Sequence, residues 1–99
     1  MKAGEWIKSN SAEGDIMISQ GVPELTYYSE RATYNFPGKE EDFKPLLERL
    51  KPKYMVLTAL ERSPEWTYDW PNRNNETVKP VKVYSLGEQP VLIIYQFSE

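Results

Sequence analysis

The sequence contains no cysteine and no histidine among its 99 residues. Without cysteine there is no disulfide framework and no thiolate chemistry, an absence compatible with either side of a membrane. Without histidine the chain lacks the commonest general base and the commonest metal ligand. Only an oxygen-ligand site for a hard cation would remain, and no calcium-loop spacing is present, so no metal site is expected. Glycine is scarce, at five residues, and the turn Ser19-Gln20-Gly21-Val22-Pro23 holds one of them. A phosphate-cradling loop needs several glycines so that backbone amides can approach the anion; no nucleotide or other cofactor is expected. No stretch approaches the roughly 18 apolar residues of a membrane span, and no signal peptide is visible. Positive charge is not in excess, with a net charge of −3 and a pI near 5.1. That balance disfavours nucleic acid, whose binding is dominated by cationic contacts to phosphate, and provides no polybasic patch for an anionic membrane.

What is present is a small, aromatic-rich α/β pattern. Aromatics make up 13% of the residues, which disordered chains lack, and the length implies one domain over residues 1–99. The pattern centres on Lys53-Tyr54-Met55-Val56-Leu57-Thr58-Ala59, a run apolar on both faces that suits a strand covered on both sides. Before it, Phe43, Leu46, Leu47 and Leu50 recur at helical spacing, with Asp42 as cap and Pro45 in the first turn. Upstream, Lys2 to Asn10 reads as a helix that opens without a cap, as a helix begun earlier in a longer chain would. Asp15 to Ser19 reads as a strand, Glu24 to Ser29 as a short helix after Pro23, and Ala32 to Phe36 as an edge strand. Ser63 to Val78 reads as irregular. Val81 to Leu86 and Val91 to Phe97 form a hairpin.

Two strand–helix–strand units with right-handed crossovers place the first strand between the second and third. The expected fold is a small three-layer, Rossmann-like sheet of five strands in the order 2-1-3-5-4, mostly parallel, with a C-terminal antiparallel hairpin.

In an open parallel sheet, ligands bind beyond the carboxyl ends of the strands where the order reverses. Ser19, Gln20 and Thr58 would line that crevice, with the aromatics Trp66, Tyr68 and Trp70 nearby to stack on a sugar ring. The alternative is that these rings seal the core, since large aromatics dominate core energetics. Glu24, Glu30, Glu61, Glu65 and Asp69 could do acid–base work only if their environments split their pKa values; surface charge is the commoner role, and no catalytic residue is assigned. Asn75-Glu76-Thr77 matches the N-glycosylation acceptor pattern in a loop.

Three stretches together carry a family resemblance. They are Glu5-Trp6-Ile7-Lys8-Ser9-Asn10-Ser11 followed by Gly14 to Ser19; Pro23-Glu24-Leu25-Thr26-Tyr27-Tyr28-Ser29-Glu30-Arg31-Ala32-Thr33; and, after an acidic helix, Leu50-Lys51-Pro52-Lys53-Tyr54-Met55-Val56-Leu57. Their order resembles the soluble C-terminal tail of the dolichyl-phosphate-mannose–protein mannosyltransferases and their archaeal and bacterial relatives, membrane glycosyltransferases that use lipid-linked sugars. The resemblance implies a non-catalytic domain excised from a larger membrane protein and lying on its extracytoplasmic face. Its partners would be the membrane-embedded part of the same polypeptide and a glycan or acceptor protein. The family's catalytic acid lies in the membrane part, so none is carried over. Two other readings stand beside it: a stand-alone binding or protein-interaction module, and a small enzyme that would depend on Glu24 or Glu61.

Overall fold

A computed structural model describes residues 2–19, 23–58, 65–87 and 89–98. In chain order the elements are α1 (Lys2–Ser9), β1 (Ile16–Ser19), α2 (Pro23–Ser29), β2 (Ala32–Tyr34), a 3-10 turn (Glu40–Asp42), α3 (Phe43–Leu50), β3 (Tyr54–Thr58), α4 (Glu65–Arg73), β4 (Val78–Leu86) and β5 (Gln89–Phe97). The five strands form one sheet in the order β2-β1-β3-β5-β4, as the crossover argument requires. β1 runs parallel to both β2 and β3, while β5 runs antiparallel to β3 and β4.

Side chains alternate across this sheet and feed two separate cores. On one face, Met17, Tyr54, Val56, Leu92 and Ile94 meet Ala3 and Ile7 of α1, with Trp6 and Tyr84 packed at the margin. α2 lies against α1 on this side; a Cβ on Gly4 would stand 2.7 Å from the Tyr28 Cβ and 3.1 Å from the Ser29 backbone nitrogen. On the other face, Ile18, Met55, Leu57 and Val78 meet Phe36, Phe43 and Trp70. Every residue of β3 is buried, which explains its unbroken apolar run: it has no solvent face.

The amino edge of the parallel strands is tied down by polar contacts. The Arg31 guanidinium donates from Nε to Ser11 Oγ at 2.9 Å and from Nη2 to the Ser11 carbonyl at 3.1 Å, clasping the end of α1 to the start of β2. The Tyr54 hydroxyl donates to the Asn10 carbonyl at 2.6 Å.

Five local expectations change. Residues 65–73, expected as irregular, are helical, with Pro71 inside the helix. Proline cannot donate to the carbonyl four residues back, but it falls near the helix end, so one bond is forgone. β2 ends at Tyr34, and Phe36 turns inward past the strand end to contact Phe43 and Trp66 at centroid distances of 5.8 and 5.9 Å. Asp42 stands at the N-cap of α3 but its side chain makes no capping bond, because the 3-10 turn holds it in helical geometry. On α3, Phe43 is buried and Leu46, Leu47 and Leu50 are half-buried, so its apolar stripe is less deeply inserted than its spacing implies. The hairpin strands are also longer than expected, starting at Val78 and Gln89.

Candidate functional site

The strand-order reversal lies between β1 and β3, where Ser19 pairs with Val56. Ser19 is fully buried, and its hydroxyl has no hydrogen-bond partner among the described residues. Thr58, two residues beyond Val56, is also buried, and its hydroxyl donates to the Val91 carbonyl at 3.1 Å. Strand alternation puts Ser19 and Thr58 on the same face as Met17 and Val56, towards α1 and α2. Gln20 lies outside the described residues.

The aromatic trio divides. Trp66 and Trp70 are four residues apart on α4 and share one helical side. Both enter the core opposite α1: Phe43 lies 4.8 Å from Trp66 and 4.9 Å from Trp70, ring centre to ring centre. The Trp66 indole N–H is buried without a partner among the described residues. Tyr68, between them, is 49% exposed. The strand-end hydroxyls and the tryptophans thus stand on opposite faces of the sheet, and the structure does not gather them into one crevice. Asn75 is exposed in the turn between α4 and β4.

Four described carboxylates, Asp15, Glu30, Glu40 and Asp69, are paired with cations. Glu30 pairs with Lys8, and that hydrogen bond holds its pKa below the usual carboxylate range. Glu40 pairs with Arg73, which lowers its pKa in the same way. Arg73 also donates from Nε to Asp69 at 2.9 Å. Tyr54, Tyr84 and Tyr95 are pushed up by burial. Glu61 lies outside the described residues, as does the side chain of Glu24. Among the described residues, no group of three or more potential metal-ligating side chains converges.

A hollow lies elsewhere. A groove of about 990 Å³ runs between α3 and the start of β4 at the amino edge of the sheet. Leu47, Val81 and Phe97 supply its apolar surface, and Lys44, Lys51, Lys53 and Lys79 supply cations. A hollow of about 460 Å³ bordered by Glu40, Trp70 and Arg73 adjoins it and shares Lys44, Leu47 and Thr77. Sequence reasoning missed this groove. Lys44 and Lys51 are seven residues apart, two turns along one helix stripe, and were visible as a pair. Lys79 joins them only through the β4–β5 register.

This fold and strand-end geometry define a small open-sheet α/β domain with helices on both faces. No family model matches the sequence, and no curated protein matches it. Among solved structures, the chain is similar to the C-terminal globular domain of an oligosaccharyltransferase from Archaeoglobus fulgidus, with a TM-score of 0.62 and 11% identity, over 98% of this chain and 95% of that one. The two share the fold. No described helix is long and apolar enough to cross a membrane.

Proposed function

We propose that this chain is an accessory domain of a membrane glycosyltransferase that uses a lipid-linked sugar, positioned on the extracytoplasmic side and helping to bind the acceptor or a partner. The observation that carries this reading is the end-to-end fold likeness to a C-terminal globular domain of an oligosaccharyltransferase. It agrees in kind with the sequence resemblance to the tails of lipid-linked-sugar mannosyltransferases. The two point to different glycosyl transfers, oligosaccharyl and mannosyl, and the common element is a globular domain appended to a sugar-transferring enzyme. In this reading the chain is one unit of a longer polypeptide, catalysis resides in the membrane part, and the exposed Asn75 turn is open to glycan attachment.

An antibody raised against residues 1–99 tests this in the cells that carry the gene. The expected result is a band much larger than 11.6 kDa in the membrane fraction, cleaved by protease added outside the intact membrane. A small band in the soluble fraction would overturn the reading.

A second reading, a stand-alone interaction module, is favoured by the lysine-rimmed groove. It predicts that small soluble band.

A further inference from the structure

We infer that the groove between α3 and β4 is a docking site for an extended acidic peptide segment of a partner polypeptide. The inference goes beyond the proposed function and does not depend on which polypeptide carries the domain.

The charge around the groove is lopsided. The chain as a whole is acidic, at −3, yet four lysines and only two acids, Asp15 and Glu48, border this hollow. Asp15 is already engaged: it lies 3.7 Å from Lys53 and accepts the Ala12 N–H at 2.7 Å. Lys44, Lys51 and Lys79 are all exposed and have no ion-pair partner among the described residues. Elsewhere the exposed cations Lys8 and Arg73 are taken up by Glu30, and by Glu40 and Asp69. Lys39, Arg49 and Lys82 are exposed as well and have no ion pair among the described residues, but the groove gathers three unpaired lysines around one hollow, where they would attract a negatively charged partner.

Lys51 adds a backbone observation. It ends α3 in the left-handed region at φ 48°, where its N–H bonds the Leu47 carbonyl at 2.8 Å. Glycine usually fills that position because a Cβ is strained there. A lysine is held there instead, with its side chain bordering the groove.

Shape and floor distinguish the occupants. Leu47, Val81 and Phe97 contribute apolar surface and none is fully buried, Val81 being 38% exposed. A flat lipid surface would not reach into such a hollow. An inorganic anion would occupy a small part of about 990 Å³ and leave the apolar floor unused. An extended peptide uses both: alternate side chains enter the floor and meet the lysines. About eight residues would span roughly 26 Å, which fits within the molecule's 32 Å long dimension. The peptide lies across the groove rather than adding to the sheet, because β4 carries Pro80 and two register breaks that blunt its free edge.

The test is fluorescence anisotropy with the full 99-residue chain and a labelled peptide of alternating glutamate and leucine, about eight residues long. Saturable binding that weakens with salt is expected. Lys51→Glu with Lys79→Glu should weaken it about tenfold or more. Lys51→Gly with Lys79→Gln should also weaken binding while keeping or raising the melting temperature, since glycine relieves the left-handed backbone. Lys82→Glu changes charge on the same strand, but Lys82 does not border the groove and its ammonium lies 5.5 Å from the centre of the Tyr84 ring, so it should leave affinity within about twofold. Any of four results would overturn the inference: no binding, equal binding of a lysine–leucine peptide, displacement by millimolar inorganic phosphate, or retention on vesicles of anionic lipid in preference to the peptide.

Discussion

The two faces of the sheet solve the same problem with different materials. Towards α1 the filling is mostly aliphatic, with Ala3, Ile7, Met17, Val56, Leu92 and Ile94, and a glycine lets α2 lie tightly against α1. Towards α3 and α4 the filling is rings: Phe36, Phe43, Trp66, Trp70 and Phe97 pack edge to face or tilted against one another. The aliphatic side depends on close backbone approach, the ring side on large side chains reaching across wider gaps. A half-buried α3 is tolerable on the ring side because the rings, rather than the leucine stripe, close the core. The expected effects of mutation differ accordingly.

The largest effect is expected at Phe43, which is almost wholly buried and touches Phe36, Trp66 and Trp70. Phe43→Ala should cost about 3–5 kcal/mol, seen as a collapse of the urea midpoint, enough to unfold a small domain. If Leu46→Ala cost as much, the claim that rings and not leucines close this side would fail.

On the aliphatic face the sensitive point is Gly4. The added methyl of Gly4→Ala meets a rigid Cβ and a backbone nitrogen. Overpacking costs about 1–3 kcal/mol, while better helix propensity returns up to about 1. A net loss of about 1 kcal/mol in denaturant melts is expected, and a gain would show that α1 and α2 separate easily.

Tyr54→Phe keeps the ring that faces Trp6 at 5.6 Å and removes the hydroxyl bond to Asn10, so about 1 kcal/mol should be lost. The same residue adds a pH dependence. With Tyr84 and Tyr95 its folded pKa is raised by burial above the ordinary value of 10.0. The stability this represents is present below pH 10 and lost as pH rises through the folded values, so melting temperature should fall from about pH 10 upward.

The smallest effects belong to the surface. Glu30 and Glu40 have lowered pKa values, so their contribution is present above the ordinary value of 4.5 and fades as pH falls through the folded ones. Glu40→Gln should flatten the acid limb of a melting-temperature profile slightly. Tyr68→Ala should shift stability by less than about 0.5 kcal/mol. Its loss of binding to any sugar that the domain retains would return Tyr68 to the functional picture.

The sheet order was legible because it follows from handedness and from two-sided burial of Tyr54 to Thr58, both encoded locally. α4 was not: Pro71 to Asn75 has the composition of a turn, and Ser63 to Val78 reads as irregular. Propensity loses there to the burial of two indoles, a tertiary effect. Ser19 and Thr58 were rightly placed at adjacent strand ends, but which face each addresses, and that the tryptophans lie on the other, depends on a helix that was read as a loop. The lysine groove needed Lys79 set beside α3, and register across a hairpin with two breaks is not written in either strand alone.

One feature of the sheet bears on how the chain is made. β5 sits between β3 and β4 and pairs with both, so the strand that completes the middle of the sheet is synthesised last. Until it emerges from the ribosome, β3 presents an open apolar edge on the growing chain. The sheet therefore cannot close until the chain has been made through residue 97. A pause or chaperone visit between residues 58 and 97 would decide whether that edge meets its own strand or a stranger's.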